Sequence, residues 1–342
     1  MEIKNLPAIT YLITGGCGFI GINLIDHLLR INPQACISVL DNLTVGTRDD
    51  LREVCNFREI KITEIQEKNA GVYLIVSDIR DFETCYRACS GINVMFHLAA
   101  NTGVVPSVQN PKQDMECNVI GTFNLLEAAK QNGVKKFIFA SSGASVGEIE
   151  PPIHEEKPVK PVSPYGASKL AGEGYCSTYF RTFGLPTITL RFGNVYGPRS
   201  KHKSSVVAKF FKNALNGEPL EIYGDGSQTR DFIYIDDLIQ AILLSAEANV
   251  GGEIFQIATY KETSVNDIAE KIRSLVETEL GRKIIINYGV PRSGDVRRNY
   301  SDISKAKRIL KYEPKTEIET GLKKTFEYFK NKVPEFRDKN MQ

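Results

Sequence analysis

Tyr165 and Lys169 stand four residues apart in the stretch Ser163-Pro164-Tyr165-Gly166-Ala167-Ser168-Lys169. On an α-helix, positions i and i+4 share a face, so the lysine ammonium comes near the phenol and favours its ionised form. A free tyrosine is a poor base. Its pKa is about 10, and poising it near neutrality takes roughly three units, at about 1.4 kcal/mol each, from nearby positive charge. Upstream, Thr14-Gly15-Gly16-Cys17-Gly18-Phe19-Ile20-Gly21 closes an apolar run. Gly15, Gly18 and Gly21 follow a strand-like segment and open a helix-like one, a spacing that lets backbone approach a pyrophosphate at a helix N-terminus. Together the two stretches point to a dinucleotide and a phenolic base, with Lys169 and an oxidised nicotinamide as the sources of positive charge.

A glycine trio alone is weak, because turns and close helix packing select glycine too. Asp41, 20 residues beyond Gly21 at the end of the second strand-like run, adds to it: a carboxylate there accepts from the adenosine ribose hydroxyls and repels a 2′-phosphate, which favours NAD over NADP. The alternative is a strand-end aspartate capping its own turn. Asp78-Ile79, after the third run, either flanks the adenine or places Asp78 as a helix N-cap. The fourth and fifth runs end in His97-Leu98-Ala99-Ala100-Asn101 and Ala140-Ser141-Ser142-Gly143, and small residues at the carboxyl ends of parallel strands leave room for a cofactor. Ser142 can then bond a substrate hydroxyl beside Tyr165. A lone strand-end serine is more often a turn former, but here the tyrosine and lysine accompany it. His97, inside an apolar strand, reads as a satisfied core residue.

The elements that must position these groups follow from periodicity. Strand candidates are Ile9–Thr14, Cys36–Leu40, Val72–Val76, Val94–Leu98, Lys136–Ala140 and Thr187–Phe192, alternating with helical segments at Phe19–Arg30, Phe82–Cys89, Asp114–Asn132 and Tyr165–Phe183. Such alternation predicts an α/β fold, a Rossmann-type doubly wound parallel sheet. Gly133 and Gly184 read as stop signals for two of the helices. After Tyr196-Gly197-Pro198 the elements become smaller, with helices at Val206–Leu215, Asp237–Ala246, Val265–Leu280 and Glu319–Asn331 and short strands at Leu220–Ile222, Ile254–Ile257 and Lys283–Tyr288. The expected organisation is a dinucleotide-binding domain over 1–195, a mixed α/β substrate lobe over 196–333 and a mobile tail over 334–342.

Composition narrows the function classes. Lys and Arg total 43 against 41 Asp and Glu, a formal charge of +2, so no global field draws nucleic acid or an anionic membrane, and any anion must be met locally. No apolar stretch approaches the roughly 20 residues of a membrane span, and the first residues lack a signal-peptide pattern, so a cytoplasmic location is expected. The seven cysteines, Cys17, Cys36, Cys55, Cys85, Cys89, Cys117 and Cys176, are odd in number and scattered; they read as reduced buried thiols, with no metal site.

The ordered company of these motifs resembles the extended short-chain dehydrogenase/reductase family, in particular nucleotide-sugar epimerases of the UDP-galactose 4-epimerase type. Supporting segments are Asp41-Asn42-Leu43, Asn118-Val119-Ile120-Gly121-Thr122, Arg191-Phe192-Gly193-Asn194-Val195-Tyr196-Gly197-Pro198, Gly224-Asp225-Gly226-Ser227-Gln228-Thr229-Arg230-Asp231-Phe232 and Arg292-Ser293-Gly294-Asp295. The resemblance implies Tyr165 as base, Lys169 as its ribose-binding partner and Ser142 as the third catalytic member. It places NAD against Gly15, Gly18, Phe19, Ile20, Gly21, Asp41, Asn42, Asp78, Ile79, Leu98, Ala99, Ala100, Asn118, Ser141, Tyr165, Lys169 and Phe192. A UDP sugar would meet Ser142, Asn194, Val206, Arg230, Arg292, Asp295 and Asn299, the arginines through forked donors that suit a diphosphate.

Departures from the family pattern carry information of their own. Val146 stands before Gly147 where the family often has tyrosine. Related 4,6-dehydratases carry an acidic pair after the catalytic hydroxyl residue and related decarboxylases a glutamate, whereas this chain has Gly143 and Ala144; elimination would lack its acid and base, and epimerisation needs neither. Asn299 replaces a bulky tyrosine of members restricted to unacetylated hexoses, leaving room for a 2-acetamido group unless Arg297, Arg298 and Tyr300 refill it. Those arginines could alternatively meet a glucuronate carboxylate. The implied function is therefore 4-epimerisation of a UDP-hexose, with UDP-glucuronate 4-epimerisation, dehydration or decarboxylation as alternatives, and a catalytically silent NAD-sensing protein as the reading from another class. A homodimer through Asp114–Asn132 and Tyr165–Phe183 is expected; Val119, Leu125, Leu126, Leu170 and Tyr179 serve either that bundle or the core of one chain.

Overall fold

The computed structural model describes residues 9–65, 69–291, 296–333 and 336. Six of its strands alternate with helices along the first 192 residues: β1 Thr10–Thr14, β2 Cys36–Asp41, β4 Gly71–Val76, β5 Val94–His97, β6 Lys136–Ser142 and β7 Thr187–Phe192, with the two-residue edge strand β3 Arg58–Glu59 between β2 and β4. They and the strand Glu253–Ile257 form one eight-stranded sheet, in the order Glu253–Ile257, β7, β6, β5, β1, β2, β4, β3. The pairings β1 with β2 and β5, β2 with β4, β3 with β4, and β5 with β6 are all parallel. From β4 through β2, β1, β5, β6 to β7 this is the doubly wound order, in which the carboxyl ends of β1 and β5 lie at the reversal where such sheets take ligands.

The first-half helices are α1 Phe19–Ile31, α2 Arg48–Arg52, α3 Phe82–Ala88, α4 Val104–Gln109, α5 Pro111–Met115, α6 Gly121–Gln131 and α7 Pro164–Phe183. Strand β2 is buried along its whole length, as a strand covered on both faces must be. One side of the core gathers Leu12, Ile75, Met95, Leu125, Leu126, Phe137, Phe139 and Tyr179. Helix α7 stops where expected: Gly184 takes the left-handed conformation at φ 73° and its N–H reaches Phe180 O, which a glycine does without steric cost. The expected helix Asp114–Asn132 divides instead into α5, a π-turn over Glu116–Ile120, and α6. Single π-turns inside α-helices accompany functional sites.

The chain builds two compact units from interleaved stretches, one from Met1–Gly147, Pro158–Arg191 and Ile242–Phe255, the other from Glu148–Lys157, Phe192–Ala241 and Gln256–Gln342. The main crossing falls at Arg191/Phe192. The exchange of the two shorter stretches is not contained in a linear division at residue 195: the strand expected at Ile254–Ile257 forms as Glu253–Ile257, but its place at the free edge of β7 leaves no local signal.

In the second unit, β8 Asn194–Tyr196 pairs with β11 Phe232–Tyr234 and β9 Leu220–Tyr223 with β14 Ile286–Gly289, both parallel, while β10 Thr229–Arg230 pairs antiparallel with β13 Thr263–Ser264. The strand Glu253–Ile257 is β12. Helices α8 Val206–Asn216, α10 Val265–Leu280, α11 Ser304–Leu310 and α12 Ile318–Lys332 belong here, and α9 Ile235–Glu247 runs across the division. Phe211 packs against Phe326 and Phe329 in its core, with centroids 6.2 and 6.0 Å apart. Of the expected mobile tail, only Phe336 is among the described residues; it is buried against Phe329.

Candidate active site

At the carboxyl end of β1 the chain turns through Gly15, at φ 68°, and enters α1 at Gly18. A side chain at Gly15 would overlap Ala99 N at 2.7 Å, and one at Gly21 would overlap Gly15 O at 2.5 Å; both positions require glycine because backbone passes backbone. Gly18 differs. A Cβ there meets only Gly15 O, at 3.2 Å, so the space over the N-terminus of α1 is open to a ligand. With no acidic residue in its first turn, that helix end presents unpaired N–H groups and a positive dipole to an anion.

Asp41 closes β2 beside this turn. Its Oδ2 accepts from Cys17 N at 2.9 Å and its Oδ1 from Leu43 N at 2.8 Å, so the capping role is realised, with one lone pair on each oxygen still able to accept. Burial raises its pKa while the two backbone donors oppose the shift. Asp78 is not a helix cap. Asp81 caps α3, accepting from Glu83 N, while Asp78 is gripped by Arg80 at 2.9 to 3.0 Å and by Asn42 Nδ2 at 3.0 Å, and the Arg80 bond first of all pulls its carboxyl down to about 2. Ile79 is buried and lies under Gly121. Leu98 and the small residues Ala99 and Ala100 follow β5, and Ala99 N donates to Thr14 Oγ1 at 3.2 Å. His97 is a satisfied core residue, bonded to Thr14 Oγ1 at 2.8 Å and Thr122 Oγ1 at 2.9 Å, and burial holds its pKa well below the usual value. These features fit a dinucleotide: an open helix N-terminus, a carboxylate one strand away, and a floor of small residues.

Helix α7 carries the expected base. Ser163 caps it by accepting from Gly166 N at 3.1 Å, and Pro164 occupies its first turn, a start that fixes where Tyr165 leaves the backbone. The Tyr165 hydroxyl faces Ser142, at the end of β6, whose own Oγ accepts from Ala144 N at 3.2 Å. Lys169 lies on the same face, its Nζ 5.9 Å from the Tyr165 ring centroid and donating to Ala140 O at 2.9 Å. So Tyr165, Lys169 and Ser142 come together as expected.

The electrostatics differ from expectation. Burial pushes the phenol up to about 12; the Ser142 hydroxyl opposes this, and the charge of Asp114 on α5 adds to it. Burial likewise pushes Lys169 down to about 8, while Asp114, Cys176 and Glu173 raise it. Lys169 alone therefore does not poise the tyrosine near neutrality, because desolvation of both groups outweighs one ammonium.

Asn118, on the π-turn, spends its amide inside the protein: Nδ2 reaches Asn101 O and Asp114 Oδ1 at 2.9 Å and Ser168 Oγ at 3.2 Å, and Oδ1 accepts from Asn101 N. It ties the loop after β5 to α7. Ser141 gives its hydroxyl to Glu173. Glu173 is a residue that sequence reasoning missed. It forms a two-pronged pair with Arg191, at 2.9 and 2.6 Å, and both side chains are at most 3% exposed; removing one partner of such a pair costs about 3–5 kcal/mol. The available signal was its place four residues after Lys169, extending the face that begins at Tyr165. Asp114, buried and four residues before Asn118, was missed in the same way.

Within the second unit, Asn194 lies in β8, its N–H donating to Asp231 O at 2.8 Å beside the segment that carries Arg230. Arg230 is half-buried and its Nη1 donates to Thr229 O and Val296 O at 2.7 and 2.6 Å. Asp231, which sequence reasoning quoted without a role, accepts from Thr259, Tyr260 and Ser301 and knots three loops together. Val206 opens α8 and Asn299 is half-buried. Arg298 is held at 2.7 to 2.9 Å by both oxygens of Glu262 and by Glu150. Arg292 and Asp295 lie outside the described residues. Phe192, expected against the cofactor, ends β7 and is nearly buried.

Residues 11–258 match the NAD dependent epimerase/dehydratase family. The chain belongs to that family. It is 34% identical over 325 residues to the UDP-glucose 4-epimerase of Mycolicibacterium smegmatis, covering 94% of this chain and 98% of the relative. Among solved structures, the UDP-glucose 4-epimerase of Thermotoga maritima with UDP-glucose superposes with a TM-score of 0.84 at 36% identity, over 95% of this chain and 100% of that one. The UDP-glucuronic acid 4-epimerase of Bacillus cereus, in complex with UDP-glucuronic acid and NAD, gives 0.82 at 31% identity, over 94% and 99%.

Proposed function

We propose that this chain interconverts the C4 epimers of a UDP-linked hexose, using a bound NAD that is regenerated in every cycle. The observation that carries this is Tyr165 facing Ser142, on one helix face with a buried Lys169 that is tied to Ala140 O, beside a turn, Gly143–Ser145, that bears no carboxylate. Gly15, Gly18 and Gly21 with the start of α1 would hold the pyrophosphate, Asp41 the adenosine ribose, and Lys169 the nicotinamide ribose. When bound, the oxidised nicotinamide supplies a hydride acceptor and donor for C4. Tyr165 Oη takes the proton of the C4 hydroxyl and later returns it, and Ser142 Oγ orients that hydroxyl. Asn194, Arg230 and Arg292 would hold the diphosphate and Asp295 the nucleoside ribose. A handle held there leaves the 4-ketohexose free to turn, so that its other face is reduced.

Because the turn after Ser142 offers no acid, loss of water or carbon dioxide lacks its proton donor. The charge of Arg298 is already met by Glu262 and Glu150, which supports a neutral hexose over a hexuronate, and Asn299 in place of a bulkier residue supports tolerance of a 2-acetamido group. Separate incubation with UDP-glucose, UDP-N-acetylglucosamine and UDP-glucuronate, with mass and sugar analysis of the products, tests this. A C4 epimer of unchanged mass from one of the first two is expected; a product lighter by water or carbon dioxide would overturn it.

The same reading includes a homodimer. Leu125, Leu126 and Tyr179 are buried within the chain, so they serve its own core, but Met115, Ile120, Phe123, Tyr175 and Phe183 on α5, the π-turn, α6 and α7 are exposed, with Phe123 against Tyr175 at 5.7 Å. A contiguous apolar face of this kind marks an association surface. Sedimentation should give twice the chain mass for the native protein and the single mass for Phe123→Glu/Tyr175→Glu; a native monomer would rule the dimer out.

A further inference from the structure

The end of β6 is fastened to α7 by hydrogen bonds at two successive residues, and the third faces the base. Ala140 O accepts from Lys169 Nζ, Ser141 Oγ donates to Glu173 Oε1 at 2.5 Å, and Ser142 faces Tyr165. Ser145 Oγ, which closes the turn after Ser142, also lies 2.7 Å from Glu173 Oε1. One carboxylate oxygen thus gathers both serines that flank Ser142 together with Arg191 Nε, while Oε2 takes Arg191 Nη2. Only an ionised acid offers acceptors to all of these groups at once.

We propose that Glu173 is a positioning residue for the reaction: through Ser141 and Ser145 it fixes the turn that bears Ser142, and thereby fixes the Ser142 hydroxyl against the Tyr165 phenol. This inference rests on Tyr165 being the base. Tyr165 is faced by Lys169 on its own helix, by Asp114 from α5 and by Ser142; Glu173 is faced by Arg191 from β7 and by Lys169 and Cys176 on α7. Nothing else among the described hydrogen bonds joins the Ser141 or Ser145 hydroxyl to α7. Arg191 then serves as counter-ion, making a carboxylate tolerable where nearly all solvent is excluded.

The test uses the full-length, NAD-loaded protein and two variants, Glu173→Gln and Glu173→Gln/Arg191→Met, the second leaving no buried charge unpaired. In both, kcat should fall about 10- to 100-fold with KM for the UDP sugar changed less than about twofold. The rising limb of the kcat–pH profile should move to higher pH, because the phenolate loses part of the stabilisation that the Ser142 hydroxyl gives it. Tyr165 ionisation, followed as the absorbance difference between each protein and its Tyr165→Phe counterpart, should show the same upward shift without turnover. Recovery of native kcat and pH profile in the double variant would overturn the proposal and leave Glu173 as a mere counter-ion to Arg191. Turnover that survives Tyr165→Phe would instead refute the base itself, a separate outcome.

Discussion

Tyr165→Phe should lower kcat by about 10³-fold, close to 4 kcal/mol of barrier, while the purified protein still carries NAD. The substitution deletes one hydroxyl, the one that faces Ser142, and leaves the Lys169 bond to Ala140 O and the whole glycine turn in place. Cofactor content after purification, measured beside kcat at saturating UDP sugar, separates loss of the base from loss of the site. The charges around the phenol sharpen this expectation. Burial pushes Lys169 down to about 8 and Tyr165 up to about 12, so without further positive charge the site does not favour the phenolate. The base is therefore made competent by added positive charge and by Ser142, and activity should rise with pH through the lowered pKa of the loaded enzyme. A Phe variant within tenfold of native kcat would contradict the role assigned to Tyr165.

Gly147→Ala should cost about 2–5 kcal/mol of stability. Gly147 sits at φ 79° and a Cβ there would lie 1.7 Å from Lys160 O. The overlap is with backbone, so no side chain can move aside. Val146 O accepts from Lys160 N at 2.8 Å and Gly147 bridges Lys160, a contact that returns the chain from the Ser142 turn to the approach of α7. The expected outcome is a lower denaturant midpoint at an unchanged slope, with turnover lost in parallel. An unchanged midpoint would mean that the turn can rearrange without cost.

The parts of this fold that were legible in the sequence are those whose cause is local. The six alternating strands stand within a residue or two of their apolar runs, Gly184 ends α7, and the glycine turn enters α1 as its spacing implies, because periodicity and backbone sterics act over a few residues. The π-turn at Glu116–Ile120 was not legible; an apolar period changes little when one residue is inserted into a helix. The edge strand Arg58–Glu59 was lost too, being too short to show a pattern, and the strand expected at Ile254–Ile257 was legible while its place beside β7 in the large sheet was not. At the site, Tyr165, Lys169 and Ser142 could be read because their chemistry is unusual at that spacing. Glu173 and Asp114 look like ordinary helix carboxylates in one dimension. Their burial, and the desolvation that opposes the expected shift of Tyr165, belong to packing between distant segments.

The most direct measurement is conversion of the UDP sugar in deuterium oxide, with the recovered sugars examined by NMR for deuterium bound to carbon. If Tyr165 moves only the hydroxyl proton while the hydrogen on C4 leaves and returns as hydride, both epimers should carry no deuterium on any carbon. Deuterium at C5 or C6 would mean that a carbon acid is being deprotonated, and would contradict the account at its centre.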